Sequence, residues 1–381
     1  MGRSTAVDNA IRRAWALADA GDLDGAVARF EAAAEEAPGD ASVWLEKGVA
    51  LFQGGRLEAA RDAFAAAREL APGDRTATAN LAKVTLLLGE DAEGLYDELL
   101  AKGPGEGRSG VKLLLGRAAA RLAKEEAEGA LEDAEAALAL DRRSPEAHTW
   151  RARALAALGR HEEALEALEA ALVVREGDYD ALLQRGRSLA ALDRVEPAME
   201  AFAAAARARP KDTVAPLALG ALFLESARYQ EALAVAERTI LRDQRCAGAW
   251  GLKAHAQRGL GADASAALCR GMEAFLEGRH EAAIQALDEA VERDPEYAEA
   301  WSNKGVVYRA MGRNEDAVAA YQRALEIDPG ALTIWNNLGM LLWFRLGRVD
   351  EGLACFRELV RRDPARWFKL PDDVKGRIAP P

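Results

Sequence analysis

Apolar residues recur along this chain in a fixed order of sizes, repeated every 34 residues. Between residues 298 and 331 the order runs through Trp301, Gly305, Tyr308, Ala317, Tyr321, Ala324 and Pro329. Shifted by 34 residues in either direction, the same template keeps matching. Each unit reads as two amphipathic helices joined by a tight turn. Small residues at offsets 8, 20 and 27 let the helices of one unit, and the first helix of the next, approach closely. Bulky residues at offsets 4, 11 and 24 fill the space between them. Gly at offset 15 turns the chain, and Pro at offset 32 ends the second helix because its ring cannot continue the hydrogen-bond ladder. A lone helix pair cannot bury its apolar face, so neighbours must stack.

The register divides the chain. After an N-terminal extension, 1–6, seven units fill 7–246. The first runs through Ala26, Phe30, Ala33 and Pro38, the second through Trp44, Gly48, Phe64 and Pro72. The third is degraded: Gly94 and Glu98 stand where Ala and an aromatic belong, and GPGEGRSG (103–110) is the most breaker-rich segment. The fourth is two residues longer at its Glu125-Glu126 turn. Residues 247–263 read as a first helix alone, which breaks the register by half a unit. Three more units fill 264–366, with one extra residue near Phe344–Gly347. The tail, 367–381, carries Trp367, Phe368 and Leu370, which are expected to cap the last helix; a short recognition motif is the alternative.

The motif W-x2-x-G-x2-Y…A-x3-Y-x2-A…P, with Lys304 where Leu is commonest, resembles the tetratricopeptide repeat (TPR). The resemblance covers 7–366. It implies an all-α TPR solenoid, a right-handed superhelix of about ten repeats plus one half repeat, acting as a protein-binding scaffold without catalysis. It also implies that offsets 2, 5, 6, 9, 12 and 13 of the first helices face a concave groove. The register break then predicts two superhelical segments meeting near residue 262, and so two grooves.

Projected onto that groove, Lys83, Arg117, Arg153 and Arg187 share offset 9 in four consecutive repeats, and Arg121 adds a cation at offset 13. Such a row suits an acidic peptide or a terminal carboxylate, which Arg pairs with two parallel hydrogen bonds. The competing expectation is that these cations are solvated or pair with acids of adjacent repeats. Offset 6 holds Asn80, Asn303 and Asn337, as in TPR grooves that grip extended peptide backbone. The complete carboxylate clamp of chaperone-binding TPR domains is missing, since Leu45 and Val49 precede Asn80, and Leu268 and Met272 precede Asn303. Leu268, Met272, Phe275, Val306, Met340 and Trp343 form an apolar stripe across repeats 8–10 that would accept an amphipathic helix. The alternative is that the tail or a repeat-8 side chain covers it.

Charge narrows the choice of partner. The net charge is −12, which opposes phosphate backbones and argues against general nucleic-acid binding. Residues 1–108 are the most acidic, with 12 Lys and Arg against 19 Asp and Glu. Cys246, Cys269 and Cys355 lack metal or disulfide spacing, so no metal, no cofactor and a reducing cytoplasm are expected. No signal peptide or membrane-spanning run is visible. His148, His161 and His280 fall at packing offsets, His255 alone at a groove offset, and no catalytic motif appears. Two rival functions remain open: a structural protein that self-assembles end to end, and an RNA reader built from helical repeats.

Overall fold

Five helices start where the sequence supplies a side-chain acceptor for their first free N–H groups. The side chains of Asp22, Asp40, Asp74, Ser144 and Asp178 each accept a hydrogen bond from a backbone N–H in the first turn of the helix that follows. The computed structural model describes residues 5–103, 105, 107–378 and 380. Residues 1–4 of the N-terminal extension, Pro104 and Glu106 of the breaker segment, and Ala379 and Pro381 of the tail lie outside the described residues.

Two compact units divide the chain, Met1–Ala208 and Arg209–Pro381. The first holds α1 (Thr5–Asp19), α2 (Leu23–Glu36), α3 (Ala41–Gln53), α4 (Leu57–Leu70), α5 (Arg75–Leu87), α6 (Glu93–Ala101), α7 (Gly107–Ala123), α8 (Ala127–Leu140), α9 (Pro145–Ala157), α10 (His161–Val174), α11 (Tyr179–Ala191) and α12 (Val195–Ala208). The second holds α13 (Val214–Glu225), α14 (Tyr229–Arg242), α15 (Ala247–Gly259), α16 (Asp263–Leu276), α17 (His280–Arg293), α18 (Ala298–Ala310), α19 (Asn314–Ile327), α20 (Leu332–Met340), α21 (Val349–Arg362) and α22 (Asp372–Lys375). A π-helical turn, Leu341–Arg345, extends α20, and a 3-10 segment, Pro364–Lys369, follows α21. Within each unit the repeat helices pack on their sequence neighbours. All described regular structure is helical, so the chain is all-α, as the register predicts.

The 34-residue template is a map of these contacts. A Cβ on Gly48 would lie 2.5 Å from the Phe64 ring, and one on Gly305 2.6 Å from the Tyr321 ring. The glycine lets the aromatic of the second helix sit against the backbone of the first. Phe30, Phe64, Tyr321 and Phe356 are all essentially buried. Burying such a side chain contributes about 1.5–3 kcal/mol. Where the second helix lacks the aromatic, a neighbouring repeat fills the space. Tyr96 of α6 covers Gly116 of α7, and Leu252 of α15 covers Gly220 of α13.

Tryptophan at offset 4 closes the joint between repeats. The indole N–H groups of Trp250, Trp301 and Trp335 donate to the carbonyls of Gln244, Pro295 and Pro329, each six residues earlier. His148 occupies the same offset, and its Nε2 lies 3.1 Å from the Arg142 carbonyl, again six residues earlier. This histidine is a packing residue in a tryptophan position.

The extra residue of the last repeat is absorbed by the π-helical turn. Its glycine-to-aromatic contact, Gly339 to Phe356, spans 17 positions instead of the 16 between Gly305 and Tyr321. The half repeat forms α15, inside the second unit. Helix α16 packs on both α15 and α17, so it serves as second helix to one and first helix to the other.

The turn at offset 15 is left-handed, with Gly312 at φ 77°. Ala227 holds the same turn at φ 53°, where a Cβ costs about 1–2 kcal/mol. Ala227→Gly is therefore expected to raise the stability of the second unit by roughly 0.5–1 kcal/mol, after the greater unfolded-state entropy of glycine is subtracted. Urea denaturation followed by circular dichroism measures it; a lower midpoint contradicts the assignment.

Candidate functional site

The cation row is largely consumed inside the fold. Asp133, on α8, is 2% exposed. It accepts hydrogen bonds from Arg117 Nε and Nη2 and from Arg121 Nη1, at 2.6–3.1 Å. Arg117 also pairs with Asp97 at 2.8 Å, and Arg121 with Glu93 at 2.9 Å. The hydrogen bond to Asp133 holds the Arg117 guanidinium above its ordinary pKa. Arg117 and Arg121 thus tie α6, α7 and α8 together rather than facing a ligand. Their charge replaces the small-residue contacts that the degraded repeats lack.

The remaining cations are less committed. Arg153 stacks on Trp150 at 4.5 Å and donates to Asp180 at 3.2 Å. Lys83 is exposed and lies over the Phe52 ring at 4.5 Å. Arg187 is exposed and makes no ion pair among the described residues.

The apolar stripe is also mostly occupied. Leu268 is 2% exposed, a core residue rather than a groove-lining one, because α16 buries that face between α15 and α17. Met272 and Phe275 are half-buried against the same core. Met340 and Trp343 pack in a cluster with Leu370, Val374 and Ile378, and the Arg377 guanidinium lies 5.5 Å from the Trp343 ring centre. The C-terminal segment therefore covers them. Leu370 packs with the last repeat and Trp367 donates to the Ile378 carbonyl at 3.2 Å, whereas Phe368 is 70% exposed. Val374 and Ile378 pack there too, and Leu370, Val374 and Ile378 stand at i, i+4 and i+8 in the sequence.

One pair of polar side chains stays uncommitted. Asn303 on α18 and Asn337 on α20 are half-buried at equivalent positions of successive first helices, 34 residues apart. Neither amide makes a side-chain hydrogen bond among the described residues. Val306, one turn along α18, is half-buried beside them in sequence. A side-chain amide offers both a donor and an acceptor, which is what a passing peptide bond requires.

A second polar group is placed under tension at the half repeat. Glu273 occupies the position where α16, as second helix to α15, should carry a small residue. Gly251 makes room for it: a Cβ there would meet Glu273 Oε1. Burial raises the Glu273 pKa above the ordinary glutamate value, Glu277 adds to this, and His255 and Arg279 oppose it. The folded state thus favours the neutral acid. Its stabilising effect is fully present below the unfolded-state pKa and is lost as pH rises through the raised folded value. Glu273→Gln is expected to match wild type in acid and to gain relative stability as pH rises to 7. Parallel pH–denaturation curves for the two proteins would contradict this.

Nothing in the geometry assembles a catalytic constellation from the histidines. His280 stacks near Phe275 at 5.7 Å and His255 is exposed. Burial pushes the Cys269 thiol up to about 12 and the Cys355 thiol up to about 11, which leaves both unreactive at neutral pH. Among the described residues no cluster of three metal-ligating side chains occurs, and no helix is long and apolar enough to cross a membrane.

A family model described as tetratricopeptide repeat matches residues 11–75, 113–181, 151–213, 270–331 and 307–366, more than two thirds of the chain. The unmatched stretches include the degraded third repeat and the half repeat. No curated protein sequence matches this chain. Among solved structures, the human IFIT1 dimer with m7Gppp-AAAA is similar at 16% identity and TM-score 0.52, over 82% of this chain and 80% of that one. The same human protein with PPP-AAAA gives 17% identity and TM-score 0.51, over 82% and 81%. A tetratricopeptide repeat protein from Parabacteroides merdae gives 17% identity and TM-score 0.48, over 76% and 100%. At these identities the likeness to the human protein is one of fold alone.

Proposed function

Because the chain belongs to the tetratricopeptide-repeat family, we propose that it is a non-catalytic cytoplasmic scaffold that binds segments of other proteins on the first helices of its repeats. The observation that carries this is the pair of uncommitted amides, Asn303 and Asn337, one repeat apart on α18 and α20. Their spacing suits a peptide backbone lying across successive first helices. The acidic-segment site at repeats 3–6 loses most of its support, since Arg117 and Arg121 already hold Asp133. Charge favours protein over RNA as ligand. Residues 1–208 carry 26 Lys and Arg against 37 Asp and Glu, a net of −11, so the first unit repels phosphate backbones. Three free thiols, two of them buried, suit a reducing compartment.

Peptides selected from a random displayed library against the whole chain supply the test. The double substitution Asn303→Ala with Asn337→Ala is expected to weaken the selected peptides about tenfold or more, from two lost hydrogen bonds of roughly 0.5–1.5 kcal/mol each. Circular dichroism checks that the variant remains folded. Unchanged affinity in the folded double variant would remove the site. Tight binding of mixed RNA in place of peptide would remove the protein-binding function.

A further inference from the structure

At four junctions an ion pair joins the second helix of one repeat to the first helix of the next, its partners 16 residues apart. Glu31 holds Lys47 at 2.9 Å, Glu135 holds Arg151 at 3.6 Å, Glu237 holds Lys253 at 3.2 Å, and Asp288 holds Lys304 at 2.5 Å. Between α10 and α11 the same two positions carry Glu169 and Arg185. Both are exposed, and they form no ion pair among the described residues. A cleft of about 510 Å³ opens where that rung fails to close.

The cleft has an apolar floor and one acidic wall. Leu172 and Leu189 line it, and Val173 reaches it while 82% exposed. Glu162, Glu166 and Glu169 stand at i, i+4 and i+7 along α10, on one face of that helix. Glu162 is held by Arg194 at 2.5 Å, which leaves Glu166 and Glu169 without a partner among the described residues.

We infer that this cleft between α10 and α11 docks an amphipathic helix of a partner protein, with Lys or Arg along the edge that faces α10. The volume takes two or three apolar side chains, the number that one helical face presents at i, i+3 and i+7. Basic residues at helical spacing on a segment lying along α10 meet Glu166 and Glu169 in register. The net charge of −11 on residues 1–208 steers such a segment in. Arg185, on the far wall, pairs with an acid on the opposite edge of the ligand and disfavours a uniformly cationic one. This surface is separate from the amides of α18 and α20, so the failure of either leaves the other standing.

The probe is an 18-residue synthetic helix with a Leu face flanked by Lys on one edge and Glu on the other, titrated by fluorescence anisotropy into the full chain. Its control carries Glu on both edges. The Lys-bearing helix is expected to bind about tenfold or more tightly than the control. Val173→Asp should reduce its affinity about tenfold, and Glu166→Gln with Glu169→Gln by roughly threefold or more. Glu128→Gln with Glu132→Gln, on the equivalent face of α8, should leave it unchanged. Circular dichroism confirms the fold of each variant, and two independent sets of substitutions guard against loss of one. Equal binding by all variants, an equal loss from the α8 pair, or no binding of the Lys-bearing helix would overturn the proposal. So would light scattering that shows a dimer dispersed by Val173→Asp, because a second copy would then occupy the cleft.

Discussion

Asp133→Ala is expected to cost about 3–5 kcal/mol, among the largest effects of any single substitution in the first unit. The carboxylate is 2% exposed and receives both Arg117 and Arg121. Removing it leaves two partly buried guanidinium groups facing each other across the vacated space. Arg117 retains Asp97, and Arg121 retains Glu93 and the Gly129 carbonyl, so the loss stops short of the full desolvation penalty. In a repeat protein the effect is local before it is global. Hydrogen exchange should therefore accelerate in α6, α7 and α8 first. A buried pair can often be exchanged for apolar residues at little cost. Asp133→Leu combined with Arg117→Met should accordingly be less destabilised than Asp133→Ala. Exchange rates in α6–α8 unaltered by Asp133→Ala would show that the network is not what joins these repeats.

Leu370→Ala carries the next largest expected effect, roughly 2–5 kcal/mol, confined to the end of the second unit. Leu370 is 4% exposed and Val374 is fully buried, both packed with Phe356, Met340 and Trp343. Residues 370–378 cover the face of this repeat against which a following first helix would otherwise pack. Shortening Leu370 opens a cavity directly over α20 and α21. Hydrogen exchange in those helices should quicken, while α15–α17 stay protected. Deleting 370–381 should go further and raise the binding of an apolar dye as Met340 and Trp343 meet water. A truncated chain with unchanged exchange and dye binding would show that the C-terminal segment is not a cap.

The repeat architecture was legible because the template is a list of helix contacts. Gly305 and Tyr321 stand 16 residues apart in sequence and touch in space, so periodicity alone located the helices and their pairing. The side chains that override the template were harder to find. Arg117 and Arg121 looked like a ligand-binding row because their acids lie on other helices. The signal was available at Asp97 and Asp133, which share an offset that carries Ala63, Ala167, Ala201 and Ala320 elsewhere. An acid repeated at a small-residue position, beside repeated arginines, points to an internal pair. Leu268 looked groove-facing because its offset was counted from α16 as a first helix. It is buried because α16 also serves α15 as a second helix, a double role that a linear register does not express. The covered state of Met340 and Trp343 depended on a Pro-rich tail whose helical turn is only four residues long.

In the proposed function peptide recognition falls to the amides of α18 and α20, while Arg117 and Arg121 hold Asp133 within the fold. Side-chain amide resonances report this directly. In an NMR titration of the isotope-labelled chain with a library-selected peptide, the NH2 signals of Asn303 and Asn337 are expected to shift together, with those of α6–α8 unmoved. Shifts in α6–α8, with Asn303 and Asn337 silent, would contradict it.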